Sequence, residues 1–131
     1  MEMLDRRNIT VLCAEDNQAN LLLLQEIISG AGYRFIGCTN GQECVDKAAT
    51  LHADIIFLDI QMPVMNGFDT CRVLRREPMT RDVPIVFLTN RRAPDDVRAG
   101  LGAGGTDFMV KPVGRDQLLA RIVKWVGRRP S

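Results

Sequence analysis

Three short apolar runs stand out along the chain, and polar residues follow each of them. They are Ile9–Ala14 (ITVLCA), Asp54–Asp59 (DIIFLD) and Pro84–Thr89 (PIVFLT). Each run is rich in β-branched residues and lacks a clean alternation of apolar and polar positions, which is typical of strands covered on both faces of a parallel sheet. Two weaker segments, Tyr33–Thr39 and Asp107–Val110, complete the set of predicted strands.

Helical patterns follow the strands. They cover Asn20–Gly32, Gly41–Thr50, Gly67–Glu77, Ala93–Gly105 and Arg115–Gly127. Asn40 precedes the second pattern and is a good N-cap residue. The fourth pattern contains several glycines, and each interior glycine costs about 1 kcal/mol relative to alanine. We therefore expect the fourth helix to be short and mobile. In the last helix we expect an inward stripe of Leu118, Leu119, Ile122, Val123 and Val126.

The order of elements decides the fold class. Strand and helix alternate five times within 131 residues, a length that suits one domain. Such alternation predicts an α/β fold with a parallel sheet covered by helices on both sides, a three-layer (βα)5 sandwich. We expect a single domain over 1–131, with its body at about 9–126 and short basic tails at both ends.

Composition narrows the function classes. The formal net charge is +1, so no overall field favours nucleic acid or a membrane as a partner. The first residues lack the apolar core of a signal peptide, and no apolar run approaches the length of a membrane span. The four cysteines form no C-x-x-C pair and suit reduced, buried thiols better than disulfides or zinc ligands. These features favour a cytoplasmic location.

Chemistry-bearing residues sit where the predicted strands end. Glu15 and Asp16 follow the first strand, Asp59 ends the third, Thr89 ends the fourth, and Lys111 follows the fifth. The carboxyl ends of parallel strands meet at one edge of a sheet, where ligands bind in such folds. At about 4 Å and an effective dielectric near 20, two like charges repel by about 4 kcal/mol. Either the lysine or a hard divalent cation such as Mg²⁺ would have to offset that repulsion.

This set of residues, in this order and spacing, resembles the receiver domain of two-component response regulators, the CheY-like superfamily. The resemblance runs from Ile9 to about Val126. Each motif alone is weak, but motifs at the ends of four strands are specific together. The resemblance implies a flavodoxin-like sheet with strand order 2-1-3-4-5 and a role as a phosphoaccepting switch.

The resemblance also assigns roles to individual residues. Asp59 would be the phosphoacceptor, and Lys111 would stabilise the charge of the phosphoryl group. Mg²⁺ would be held by Glu15, Asp16, Asp59 and the backbone carbonyl of Gln61. This set suits phosphoryl transfer, because catalysis there depends mainly on positioning and on cations near the phosphoryl oxygens.

The switch residues follow from the same family. Thr89 would bond a phosphoryl oxygen, and Phe108 would rotate inward as that side chain moves. The peptide between Lys111 and Pro112 is usually cis in this family. The residue after Thr89 is usually Ala or Gly, and Asn90 at this position implies an altered lifetime of the acyl phosphate, of undetermined sign.

Partners and alternatives complete the expectations. The donor would be a phosphohistidine on a sensor histidine kinase or a histidine phosphotransfer protein, and the downstream partner is not specified. The face of the last two helices is the candidate surface for a dimer. The chain could be a stand-alone regulator or part of a hybrid kinase or larger regulator.

One alternative function is that of a degenerate receiver that binds partners without phosphorylation. A Mg²⁺-dependent aspartate phosphohydrolase is more remote, because that class usually has a second acid where Gln61 stands.

Overall fold

The computed structural model describes residues 5–90 and 94–127. The strands are β1 (Thr10–Ala14), β2 (Arg34–Cys38), β3 (Ile55–Asp59), β4 (Ile85–Thr89) and β5 (Asp107–Val110). They form one parallel sheet in the order β2-β1-β3-β4-β5. Each strand lies within the segment that predicted it, so the predicted strands and their order are confirmed.

Helices follow the strands as the sequence predicted. They are α1 (Gln18–Gly30), α2 (Gly41–Thr50), α3 (Gly67–Arg76), α4 (Pro94–Gly102) and α5 (Arg115–Val126), and a 3-10 turn at Arg6–Asn8 precedes β1. The shortest is α4, at 9 residues. Its predicted start at Ala93 lies outside the described residues, as does the basic tail after Gly127.

Asparagine side chains set three of the helix starts. Asn40 accepts a hydrogen bond from the backbone N–H of Glu43 at 2.8 Å, which confirms its predicted cap role. Asn66 caps α3 in the same way. Asn17 caps α1 by accepting from the N–H of Asn20 at 2.9 Å, so this helix begins two residues before its apolar pattern does. Each cap satisfies a backbone donor that the helix itself leaves unpaired.

Two apolar clusters lie on opposite faces of the sheet. Alternate residues of the central strands point to opposite sides, as the pleat requires. One cluster packs the sheet against α1 and α5 through Val11, Ile55, Phe57, Leu24 and Leu118, among others. The other packs it against α2, α3 and the end of α4 through Leu12, Leu58, Phe87, Cys44 and Cys71, among others. The three-layer sandwich is thereby confirmed, and all the cysteines are free and buried, as predicted.

One position of the predicted α5 stripe is wrong. Val123 is 52% exposed, whereas Leu118 and Ile122 are fully buried. Val123 is exposed because it lies about 100° around the helix from the buried Ile122 and so faces away from the sheet. Trp125, three positions after Ile122, covers the edge of the core instead. Its indole N–H donates to Asp107 Oδ2 at 2.9 Å.

Arg75 ties α3 to the far end of α4 and to the loops beside it. Its guanidinium donates to the carbonyl oxygens of Gly104 at 2.8 Å, Thr80 at 3.0 Å and Val83 at 2.6 Å, and to the hydroxyl of Thr106 at 3.3 Å. Burial lowers the pKa of this guanidinium, yet the group stays charged because its ordinary value is far above neutrality. No part of this network was predicted from the sequence.

In the described part of the chain, none of the helices has the length and apolar character that crossing a bilayer would demand.

Candidate functional site

Three carboxylates gather at the carboxyl edge of the sheet. One oxygen from each of Glu15, Asp16 and Asp59 lies within 4.8 Å of the others. The first two follow β1 and the third ends β3, and these strands are hydrogen-bonded neighbours. Asp16 is exposed, whereas Glu15 is 1% and Asp59 5% exposed. Buried carboxylates at this spacing need a positive partner.

Lys111 is the positive partner that the described residues provide. Its Nζ lies 2.8 Å from Glu15 Oε2 and 3.1 Å from Asp59 Oδ1. Its backbone N–H donates to the carbonyl of Thr89 at 2.7 Å, and its peptide bond to Pro112 is cis, as the family resemblance implied. Burial lowers the pKa of Lys111, but the hydrogen bond to Glu15 and the charge of Asp59 outweigh it, so the net shift is upward. The lysine is therefore a fixed cation.

Asp59 is held between opposing influences. Burial and the neighbouring charge of Glu15 raise its pKa from 3.8 to about 6, although Lys111 and a hydrogen bond from the backbone N–H of Gln61 pull the pKa down. That N–H donates to Asp59 Oδ1 at 3.3 Å. With a pKa near 6 the carboxylate is mostly ionised at neutral pH, which a nucleophile requires.

The loop after β3 folds back onto the strand that it leaves. The N–H of Ile60 extends the pairing with β4 by donating to the carbonyl of Leu88 at 3.1 Å, and the N–H of Gly67 closes the loop by donating to the carbonyl of Ile60, just after β3, at 2.8 Å. A Cβ at Gly67 would lie 2.5 Å from the carbonyl oxygen of Asp59, so only glycine fits there. Val64 lies in this tight turn with a φ of +71°, a strained conformation that β-branched residues rarely adopt.

Thr89 shares a cavity with Asp59. The cavity has a volume of about 250 Å³ and is lined by Asp59, Ile60, Gln61, Thr89, Asn90 and Asp96. Thr89 follows Leu88, which pairs with Asp59 across β3 and β4. The cavity thus has room beside the buried carboxylate for a group that the hydroxyl could contact.

Asp96 was missed by the sequence reasoning. It lies in the first turn of α4 and lines the cavity from the helix side. The position of Asp96 in the sequence could have indicated it. A helix that follows a strand of a parallel sheet begins at the edge where the strands end, and that edge carries the site. Acids in a first helical turn are common for dipole reasons alone, and that hid it.

Phe108 lies inside the protein. It is 4% exposed, and its ring centroid is 5.3 Å from that of Phe87. A Cβ at Gly100 would overlap the ring of Phe108, and a Cβ at Gly105 would overlap the ring of Phe87. These two glycines therefore make room for aromatic rings. Phe108 is therefore a buried core residue here, and its rotation as part of a switch stays a prediction.

The family can be identified from the sequence match. The model of the response regulator receiver domain matches residues 11–123. The chain belongs to this family. As a receiver domain it is a phosphoaccepting switch module of two-component signalling, and its acidic cluster suits the magnesium site of such modules.

Curated relatives carry receiver domains within longer proteins. The receiver domain is 34% identical over 129 residues to the sensor histidine kinase GacS of Pseudomonas protegens, covering 96% of this chain and 14% of that protein. It is 36% identical over 112 residues to the response regulator PleD of Caulobacter vibrioides, covering 86% of this chain and 25% of that protein. The chain thus spans a minor part of the relatives' lengths.

Solved structures agree in fold. The chemotaxis protein CheY4 of Vibrio cholerae superposes with a TM-score of 0.87 at 28% identity, covering 89% of this chain and 98% of that one. The receiver domain of a sensor histidine kinase from Pseudomonas aeruginosa superposes with a TM-score of 0.86 at 30% identity, covering 91% and 98%. That structure is described with a magnesium ion coordinated in its active-site cleft.

Proposed function

We propose that Asp59 is the phosphoacceptor of this receiver domain and takes its phosphoryl group from a phosphohistidine on a sensor histidine kinase or a histidine phosphotransfer protein. The observation that carries the proposal is the buried contact of Lys111 with both Glu15 and Asp59, beside the third carboxylate of Asp16. Relatives that are sensor histidine kinases support a kinase partner.

The transfer would use Asp59, Lys111 and Thr89 together with a bound divalent cation. A carboxylate oxygen of Asp59 forms the new bond to phosphorus as the bond from phosphorus to the donor nitrogen breaks. Lys111 Nζ, 3.1 Å from Asp59 Oδ1, is placed to neutralise charge on the phosphoryl oxygens. Thr89 lines the same cavity, and its hydroxyl would donate to one of those oxygens. Positioned donors and cations of this kind are the main source of catalysis in phosphoryl transfer.

A divalent magnesium ion fits the donor set. The carboxylates of Glu15, Asp16 and Asp59 converge within 4.8 Å, and all offer the hard oxygen ligands that Mg²⁺ prefers. We expect these acids and the backbone carbonyl of Gln61 to hold it. When bound, it would offset the charge that the phosphoryl group adds.

The response to phosphorylation would pass through Thr89 and Phe108. A phosphoryl group adds about −1.5 to −2 charges and three acceptor oxygens. Thr89 would move toward those oxygens, and the ring of Phe108, packed against Gly100, would readjust with α4. The partner that reads this change is not specified by the site. The face of α4 and α5 stays the candidate dimer surface, and the cytoplasmic location and the single-domain extent 1–131 stay predictions.

Phosphorylation in vitro tests the proposal. The protein is incubated with Mg²⁺ and acetyl phosphate, and intact mass is measured with time. We expect a gain of one phosphoryl group that disappears in Asp59→Asn and with a chelator. Asp116→Asn, which removes an exposed acid at the start of α5, is the matched control and should still gain the group.

The other candidate functions give different outcomes. A degenerate receiver would gain no mass with acetyl phosphate or with a phosphohistidine donor. A phosphohydrolase would release phosphate continuously from phosphate esters. We expect no such turnover beyond slow loss of the phosphoryl group from Asp59, and sustained turnover would overturn the proposal.

A further inference from the structure

One carboxylate at the site has no part in the proposed chemistry. Asp96 is half-buried and lines the cavity of about 250 Å³ that also contains Asp59 and Thr89. It does not belong to the convergent acids Glu15, Asp16 and Asp59. It reaches the cavity from α4 and, among the described residues of that helix, is the one that lines it.

Its neighbour Asp95 behaves differently. Asp95 pairs with Arg98 in an exposed ion pair and does not line the cavity. Within the described residues, Asp96 has no such ion pair with a cation. Both acids lie in the first turn of α4, so the helix dipole favours them equally. The cavity is what distinguishes them.

The charge of the cavity explains what Asp96 can do. A phosphodonor must bring a negatively charged group to Asp59, where, among the residues that the structure describes, Lys111 is the cation paired with this carboxylate and acids already gather. A further negative charge on the cavity wall raises the free energy of any anion that enters. Because the cavity is partly enclosed, water and salt screen this charge less than they screen an exposed one.

We propose that Asp96 is a specificity-determining residue that disfavours small anionic phosphodonors at Asp59. A small donor such as acetyl phosphate binds through its charged phosphate and has little else with which to offset the repulsion. A protein donor gains contacts over its whole docking surface, so the same repulsion is a smaller part of its binding. This inference rests on the proposed function, because it concerns the donor of that reaction.

The test reaction is phosphoryl transfer from acetyl phosphate to Asp59. The bond between phosphorus and the acetate oxygen of acetyl phosphate breaks, a bond to an Asp59 carboxylate oxygen forms, and acetate leaves. The rate is followed by intact mass at saturating Mg²⁺ and low ionic strength. The variants are Asp96→Asn, Asp96→Glu and the matched control Asp95→Asn, which removes the same charge from the same helical turn outside the cavity.

We expect Asp96→Asn to react about three- to tenfold faster than the wild type, since it removes a like charge from the wall of the partly enclosed cavity, where water screens that charge less than it screens the exposed charge of Asp95. Asp96→Glu should stay near the wild-type rate, and Asp95→Asn should stay within about twofold of it. The advantage of Asp96→Asn should shrink as salt is raised, because the Debye length falls to about 3 Å at 1 M. It should also be smaller with phosphoramidate, which carries less negative charge than acetyl phosphate.

The outcomes are separable. Equal rates for Asp96→Asn and Asp95→Asn, or a gain that does not respond to salt, would overturn the inference while the proposed function stands. Failure of every variant, including the wild type, to gain a phosphoryl group on Asp59 from acetyl phosphate and from a phosphohistidine donor would instead overturn the proposed function. Circular dichroism of each variant verifies that the overall helix content is retained.

Discussion

Two helices occupy equivalent places beside the site and differ in how they are held. α3 follows the strand that ends at Asp59, and α4 follows the strand that ends at Thr89. α3 has Asp69 in its first turn and basic residues in its last, which complements the helix dipole at both ends. α4 has acids in its first turn, no basic residue in its last turn, and glycine at positions 100 and 102.

Tertiary contacts increase the difference. Arg75 of α3 donates to backbone carbonyls of two loops, and the thiol of Cys71 donates to the carbonyl of Ala103 at 3.3 Å. The ion pair within α4, between Arg98 and Asp95, is exposed and contributes little. Because Ala103 and Gly104 directly follow α4, the bonds to their carbonyls also hold its far end. The comparison teaches that the nucleophile side of the site is fixed, whereas the helix beside Thr89 is adaptable toward its first turn. Elements that move in switching come from the less stable parts of a fold.

The largest expected effect on stability comes from removing the hydrogen bonds of Arg75. Arg75→Met removes several charge-assisted hydrogen bonds and leaves their carbonyl acceptors unpaired, so we expect the free energy of unfolding to fall by about 3 to 4 kcal/mol. Urea denaturation measures it. Arg76→Met, one position on and exposed, is the control and should change stability by less than about 0.5 kcal/mol. Similar losses for both would show that the network does not fix α3.

The second prediction concerns charge on the fixed side. The pKa of Asp59 is raised from 3.8 to about 6, so the folded state binds the proton more tightly than the unfolded state does. The resulting stabilisation is complete below about pH 3.8 and is lost as the pH rises through about 6. In chelator at neutral pH, we expect Asp59→Asn to be about 2 to 3 kcal/mol more stable than the wild type. The advantage should vanish near pH 4.

Unfolding curves across this pH range give the result, with Asp116→Asn as a control of equal charge change. An Asp59→Asn advantage that stays constant from pH 4 to 7 would rule out the raised pKa as its source.

The third prediction separates two glycines of α4. A Cβ at Gly100 would overlap the ring of Phe108, so Gly100→Ala should lower the free energy of unfolding by about 1 to 2 kcal/mol. Gly102 has open space around it, so Gly102→Ala should raise it by up to about 1 kcal/mol through helix propensity. Thermal denaturation compares the two. Stabilisation by both substitutions would mean that the ring of Phe108 yields easily.

The smallest effect is expected at the turn of the loop after β3. Val64 has a φ of +71° and is 79% exposed, so its side chain gains little from packing. Asparagine tolerates this conformation better, and Val64→Asn should raise the free energy of unfolding by about 1 kcal/mol. Val64→Ala removes the β-branch but lacks the side-chain amide through which asparagine hydrogen-bonds locally in this conformation, so it should gain less. Chemical denaturation of the two variants distinguishes relief of backbone strain from a general surface effect.

The sequence predicts much of this molecule because local patterns and topology coincide. Buried strands need continuous apolar runs, and a parallel sheet brings their ends together, so the gathering of Glu15, Asp59 and Lys111 follows from position alone. Val123 shows the limit, since an apolar residue beside a stripe need not join it. Arg75 and Asp96 show a second limit. The loop carbonyls that Arg75 bonds to and the cavity that Asp96 lines are brought into place only in the folded chain. From the sequence, the glycines of α4 indicate low helix stability, whereas in the structure Gly100 makes room for the ring of Phe108.

The hydrogen bond between Trp125 and Asp107 has a practical consequence. The chain contains a single tryptophan, and its indole N–H is bonded to the first residue of β5, next to Phe108. Indole emission depends on such a bond and on nearby charge, so this ring is a built-in optical reporter of β5. A shift of its emission spectrum would follow activation in real time without any label.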